Sequence, residues 1–248
     1  MTTAIDLTGV PGAPSGSRTL GGHLAKPAGV GPWPGVVVLH EAFAVDDVMR
    51  RQVERLAAMG YLAVMPDLFS DGGPRRCLVA TFRALRSGAG RAYADIEAAR
   101  TFLATHPDST GAVGVVGFCM GGGFALMCAT RGFDVVSDNY GMLPKDVDAA
   151  LDGACPVIAS FGGKDRALGT RAASTLDKVM TRHGVEHQVD VYPLAGHGFL
   201  NDGPSGPRLL GPIAKVMGIG PEPGSARQAW VKIEAFLGRH LSGRATSD

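Results

Sequence analysis

The sequence predicts an α/β fold, in which a mainly parallel central sheet has helices packed on both faces. Continuous apolar runs at 35–39, 61–65 and 113–116 are typical of strands buried on both sides. Segments with helical periodicity alternate with these strands, and that alternation favours parallel pairing through right-handed crossovers. Because no linker, composition change or internal repeat interrupts the pattern, we expect one domain over residues 1–248.

The remaining elements follow from the same patterns. Loose alternation at 18–24 predicts an antiparallel edge strand, and 1–16 is weakly patterned, with one strand beginning there. Further strands are expected at 135–140, 156–160 and 187–192. Helices are expected at 45–59, 78–85, 92–105, 124–130, 167–183 and 225–240.

Residues 203–224 are the exception, since five prolines and six glycines interrupt Leu209, Leu210, Ile213, Val216 and Met217. An insertion this long, starting six residues after His197, is placed to act as a lid over a site there. A surface insertion without a function and a contact with a partner subunit are the alternatives.

Composition narrows the function classes. The chain has 24 basic and 23 acidic residues, and the dispersed basic residues argue against nucleic-acid binding. With neither a signal-peptide pattern nor an apolar run of membrane-spanning length, we expect a cytoplasmic protein that is a monomer or homodimer. The four cysteines form neither a C-x-x-C nor a zinc-type cluster, so no metal or other cofactor is expected, and Cys128 and Cys155 are interpreted as core residues.

The segment 117–121, Gly-Phe-Cys-Met-Gly, lies between a predicted strand and a predicted helix. This is the nucleophile-elbow pattern, with Cys119 where serine is commoner. Glycines allow the sharp turn, and the helix N-terminus favours a thiolate. The alternative is a glycine-rich turn around a buried, inert cysteine.

Reactive residues follow several of the strands, where parallel sheets bind ligands: Glu41, Asp67, Cys119, Asp165 and His197. Cys119 can act as nucleophile, His197 as general base and Asp165 as the group that orients the histidine. The order nucleophile, acid, histidine is that of the α/β-hydrolase fold.

The sequence resembles the dienelactone hydrolase family, α/β-hydrolases with a cysteine nucleophile. The matching segments are Leu-His-Glu-Ala-Phe at 39–43, Met-Pro-Asp-Leu at 65–68, Gly-Phe-Cys-Met-Gly-Gly at 117–122, Gly-Gly-Lys-Asp at 162–165 and Gly-His-Gly-Phe at 196–199. The resemblance implies a triad of Cys119, His197 and Asp165. It also implies that Glu41 contacts the resting thiol, and that Ala42 and Met120 supply oxyanion-hole N–H groups.

The resemblance also indicates substrate-binding positions, for which we take Phe43, Phe199, Asn201 and Arg83. Asn201 stands where the best-known members have a carboxylate-binding arginine, which argues against dienelactone itself as the substrate. We therefore expect hydrolysis of small esters or lactones through a thioester intermediate. The alternatives are a thioesterase or carboxylesterase with another natural substrate, a non-catalytic ligand-binding protein and a thiol redox protein.

Overall fold

The computed structural model describes residues 1–206 and 219–242. Its sheet has eight strands in these residues, in the spatial order β1-β2-β4-β3-β5-β6-β7-β8. The strands are β1 Thr3–Asp6, β2 Gly21–Ala25, β3 Trp33–Leu39, β4 Leu62–Pro66, β5 Ser109–Phe118, β6 Val135–Asn139, β7 Val157–Gly162 and β8 His187–Tyr192.

Strands β3 to β8 are parallel to one another, and β2 pairs antiparallel with both β1 and β4. The antiparallel direction of β2 agrees with the prediction for 18–24. Its position at the edge was wrong, because β1 pairs outside it, with Thr3 opposite Leu24 and Asp6 opposite Gly21.

The helices in the described residues are α1 Asp47–Ala58, α2 Pro74–Ser87, α3 Arg91–Thr105, α4 Met120–Met127, α5 Val147–Ala150, α6 Gly169–His183 and α7 Pro223–Leu241. Helix α2 is longer than predicted because Pro74 can occupy its first turn and Gly88 ends it in the left-handed conformation. The single-turn α5 was not predicted. The Asp146 side chain caps it by accepting a hydrogen bond from the Ala149 N–H (3.1 Å).

Two apolar layers cover the sheet because alternate strand residues point to opposite faces. Val37 and Val115 face one layer, which includes residues of α2, α3, α4 and α6. Val36 and Val116 face the other, which includes residues of α1 and α7. The predicted mainly parallel sheet with helices on both faces is thereby confirmed.

Among the helices formed by residues 1–206 and 219–242, none is both long enough and apolar enough to cross a bilayer. The proposed lid, 203–224, falls mostly outside the described residues, and so do its five apolar side chains. Within its described part, Ser205 Oγ donates a hydrogen bond to Asp46 Oδ2 (3.1 Å), and the Gly220 N–H donates to His197 O (2.8 Å).

Candidate active site

Cys119 occupies the sharp turn between β5 and α4, with φ 54° and ψ −115°. This positive φ is strained for a residue with a side chain, and nearby backbone hydrogen bonds hold it. The Cys119 N–H donates to Asn139 O (3.0 Å), and its carbonyl accepts from the Gly123 N–H (3.2 Å). The strand–turn–helix arrangement expected from the sequence is present.

The two glycines that flank the turn are required by close backbone approach. A Cβ on Gly117 would lie 2.0 Å from Gly121 O, and a Cβ on Gly121 would lie 2.1 Å from Leu39 O. The second approach packs the first turn of α4 against the end of β3, which brings the loop after β3 to the cysteine.

His197 and Asp165, from the loops after β8 and β7, lie together at the same edge of the sheet. His197 Nδ1 is 2.7 Å from Asp165 Oδ2. Burial alone would raise the pKa of the Asp165 carboxyl. Hydrogen bonds from His197 and from the N–H groups of Ala167 and Leu168 hold that pKa below its usual range instead. Asp165 is thus an ionised acceptor that fixes the histidine ring.

Cys119 is the other side chain that acts on the charge of the His197 ring. Burial alone would lower the pKa of His197. The hydrogen bond with Asp165 and the interaction with Cys119 outweigh that effect and raise the pKa to about 10. The ring therefore favours the imidazolium form, which can donate a proton to a reacting group.

Glu41 is 4% exposed, in the loop after β3, and its carboxylate belongs to a buried network. It accepts hydrogen bonds from Asn201 Nδ2 (3.0 Å) and from the Tyr140 hydroxyl (3.5 Å). Burial raises the pKa of Glu41, and the hydrogen bond from Asn201 opposes this only in part. The implied contact of Glu41 with the resting thiol remains a prediction.

The backbone donors expected for an oxyanion hole lie on the two segments that meet at Gly121. Met120 is the first residue of α4, where helical N–H groups have no partner within the helix. Ala42 lies in the turn after β3. Across residues 1–206 and 219–242, neither of these N–H groups donates to a protein acceptor, and their role as oxyanion donors stays a prediction.

Tyr140 was missed by the sequence reasoning. It follows β6 with φ 46°, is fully buried, and its ring packs edge-on against His197 with centroids 5.0 Å apart. Its hydroxyl group donates a hydrogen bond to Glu41, so Tyr140 contacts both His197 and the buried Glu41 carboxyl group. Its position at the end of a predicted strand was a usable signal, although a tyrosine is neither charged at neutral pH nor a common nucleophile.

The positions taken for substrate binding have different surroundings. Phe43 is 45% exposed, beside Gly206. Phe199 has no exposed surface and packs on Tyr140 and Tyr192. Arg83 is exposed on α2 and lines a surface groove with Ser87 and other residues of α2 and α3. The substrate-binding role of each position stays a prediction.

Asn201 is 5% exposed, and its amide group is directed to Glu41 rather than to open space. Two other acids lie apart from the histidine. Asp67 accepts a hydrogen bond from the Phe69 N–H (2.9 Å) in the turn after β4. Asp202 pairs with Arg51 through two contacts of 2.6 and 2.7 Å.

The remaining cysteines have structural surroundings. Cys128 is 1% exposed, and Cys155 packs at the edge of the same apolar layer. Burial raises the pKa of each thiol to about 12, which makes both poor nucleophiles.

Comparison with known proteins shows the family to which the chain belongs. A model of the dienelactone hydrolase family matches residues 20–241. The carboxymethylenebutenolidase of Pseudomonas putida is 30% identical over 200 residues, which cover 76% of this chain and 84% of the relative.

Two solved structures share the fold. The dienelactone hydrolase-like promiscuous phosphotriesterase P91 from metagenomic libraries has a TM-score of 0.76 and 20% identity, over 97% of this chain and 99% of that one. Dienelactone hydrolase from Anabaena variabilis has a TM-score of 0.66 and 19% identity, over 97% and 98%. Together with the family match over residues 20–241, these similarities establish that the chain belongs to the dienelactone hydrolase family of ester and lactone hydrolases.

Proposed function

We propose that the protein hydrolyses small carboxylic esters or lactones through a thioester on Cys119. The observation that supports the proposal is the His197–Asp165 hydrogen bond (2.7 Å) together with Cys119, which acts on the histidine from the elbow between β5 and α4. Nucleophilic catalysis requires a nucleophile, a proton carrier and an orienting carboxylate, and these three residues can supply them.

In the first half-reaction the Cys119 thiolate attacks the carbonyl carbon of the substrate. The carbonyl oxygen becomes an oxyanion, which accepts hydrogen bonds from the free N–H groups of Ala42 and Met120. When the C–O bond breaks, His197 gives its proton to the departing alkoxide. For a lactone, the released hydroxyl stays attached to the acyl group.

In the second half-reaction His197 removes a proton from water as the water oxygen attacks the thioester. The tetrahedral intermediate then releases the Cys119 sulfur and the carboxylic acid product. Asp165 keeps its carboxylate at Nδ1 of His197 throughout, which leaves Nε2 of the ring to exchange protons.

Glu41 is proposed to oppose formation of the thiolate until substrate binds. A carboxylate near the thiol disfavours a second negative charge, and a buried carboxyl with a raised pKa can also hold a proton. The hydrogen bonds from Asn201 and Tyr140 fix the position of the Glu41 carboxyl group, and the Tyr140 ring packs against His197.

The surroundings also favour a neutral substrate. Asn201 has no charge and is committed to Glu41, and Arg83 lies in a separate surface groove. Neither position offers a cation for a substrate carboxylate, so we propose uncharged esters and lactones as the preferred class.

The test replaces the nucleophile. Cys119→Ala is expected to abolish hydrolysis of p-nitrophenyl acetate, whereas the matched core variants Cys128→Ala and Cys155→Ala retain it. Mass spectrometry of the quenched wild-type enzyme should show one acetyl group on Cys119. A Cys119→Ala enzyme with the wild-type rate would refute the mechanism.

A further inference from the structure

His40, the residue between β3 and Glu41, is fully buried, and both of its ring nitrogens contact backbone groups. Nδ1 lies 2.7 Å from Glu41 O, and the Leu68 N–H donates to Nε2 (3.1 Å). The ring thus links the loop after β3 to the loop after β4. The Phe69 ring packs edge-on against it, with centroids 5.0 Å apart.

These two contacts define the protonation state of the ring. A backbone N–H can only donate, so Nε2 must be unprotonated and accept from Leu68. A carbonyl oxygen can only accept, so Nδ1 must carry the proton and donate to Glu41 O. The neutral ring protonated on Nδ1 is therefore the one form that satisfies both contacts.

Burial supports this state, because it lowers the pKa of His40. Asp67, whose Oδ1 is 3.8 Å from Nε2, and Asp46 are the charged groups that act on the ring in the opposite direction.

The contact of His40 with Glu41 O fixes the orientation of the whole peptide unit between Glu41 and Ala42. Glu41 C=O and Ala42 N–H belong to the same peptide unit, which is planar, and in the trans form they point in opposite directions. His40 and the Ala44 N–H, at 3.3 Å, both donate to that carbonyl. With the carbonyl held on their side, the Ala42 N–H is turned the other way.

The backbone of His40 packs closely against the elbow, since a Cβ on Gly121 would also lie 2.8 Å from His40 O. The orientation of the Glu41–Ala42 peptide is therefore set directly beside Cys119. We propose that His40 is a positioning residue for hydrolysis: as a neutral ring protonated on Nδ1, it holds this peptide so that the Ala42 N–H faces the reacting carbonyl. This inference rests on the proposed function, because it concerns the oxyanion formed on Cys119.

The experiment compares two variants in the full-length enzyme. His40→Leu removes both contacts, whereas His40→Asn keeps an amide N–H near the position of Nδ1. With p-nitrophenyl acetate, His40→Leu should lower kcat by about 10²- to 10³-fold, the usual effect of losing one oxyanion donor, with KM within about threefold of wild type. His40→Asn should recover at least about tenfold of that loss.

Alkylation by iodoacetamide distinguishes a positioning role of His40 from a general disruption of the active site. This reaction displaces iodide at a saturated carbon and forms no oxyanion, so iodoacetamide should alkylate Cys119 in both variants at the wild-type rate. The control Thr81→Val removes a buried hydroxyl in α2, away from this loop, and should leave both reactions unchanged.

Wild-type kcat in His40→Leu, or an equal fall in hydrolysis and alkylation, would overturn the inference. If His40→Leu does not fold, ring ¹⁵N shifts of the wild-type enzyme decide it, and a proton on Nε2 at neutral pH overturns it. A wild-type enzyme that hydrolyses no ester refutes the proposed function instead, so the two failures are distinguishable.

Discussion

At the scale of single residues, opposing effects on His197 decide what its ring can do. Burial by itself disfavours the imidazolium, and the contacts with Asp165 and Cys119 reverse this balance, which gives a pKa of about 10. The proton carrier thus depends on its neighbours for its charge, and removing either neighbour changes the chemistry as well as the geometry.

Asp165→Asn tests that dependence. Without the carboxylate, the pKa-lowering effect of burial is opposed less, and the pKa of His197 should fall. Less imidazolium is then present at neutral pH. Turnover of p-nitrophenyl acetate should drop by about 10³- to 10⁴-fold, as in other triads with this change. An NMR titration of the His197 ring would check the direction of the pKa shift.

The matched control is Asp202→Asn, since Asp202 follows the same histidine loop but pairs with Arg51. It should keep nearly full turnover. If Asp202→Asn loses as much activity as Asp165→Asn, Asp165 is not the acid that specifically orients His197.

The sequence predicted the residues whose reactivity and whose position at a strand end can both be read from the neighbouring residues. Cys119, Asp165 and His197 each follow a strand, and parallel strands deliver their carboxyl ends to one edge. The hydrogen bonds that Tyr140 and Asn201 donate to Glu41 could not be obtained that way, because they depend on how three loops pack together.

At the scale of elements, the joint between β3, β5 and α4 determines the site. Gly121 lets the first turn of α4 approach Leu39 O and His40 O closely, so the start of α4 packs against the end of β3, just before the Ala42 loop. The glycine pattern in the sequence predicted the close approach of β5 and α4 at the turn, but not the contact with β3. It could not predict β1 outside β2, since that pairing is set by contacts between distant segments.

Gly121→Ala tests the joint. The added Cβ would overlap the β3 backbone, so the free energy of unfolding should fall by about 3 kcal/mol, the upper part of the range for overpacking. Turnover should fall as well, because β3 and α4 must separate. Urea unfolding and p-nitrophenyl acetate kinetics would measure the two effects.

Gly238→Ala, in the last turn of α7, is the matched control. There the nearest atom, Tyr61 Oη, would be 3.9 Å from the Cβ, so the helix propensity of alanine should stabilise the protein by up to about 1 kcal/mol. Unchanged stability in Gly121→Ala would mean that the close approach is not essential.

At the scale of the whole molecule, the balance of 24 basic and 23 acidic residues leaves little net charge near neutral pH. Long-range repulsion is then small, and the pH dependence of stability is determined mainly by buried groups. Asp138 on β6 is one of these. It is fully buried beneath the first turn of α4, and its Oδ1 accepts a hydrogen bond from the Gly141 N–H (2.9 Å).

Burial raises the pKa of Asp138 to about 7, and the Gly141 hydrogen bond only partly offsets it. The folded state therefore holds a proton on Asp138 at pH values where the unfolded chain, with a pKa of 3.8, has lost it. Stability must then fall as pH rises between these two pKa values and stay level above the higher one.

Asp138→Asn removes this titration and keeps an oxygen that can accept from Gly141. The stability of the variant relative to wild type should therefore increase between about pH 5 and about pH 8, by an amount on the order of 3 kcal/mol. Urea unfolding at the two pH values measures it, and the comparison isolates Asp138 because Glu41 and His197 are present in both proteins. Ser137→Ala, on the same buried strand but with no titrating group, should show the same difference from wild type at both pH values. A pH-independent difference for Asp138→Asn would show that the carboxyl is ionised in the folded protein across the whole range.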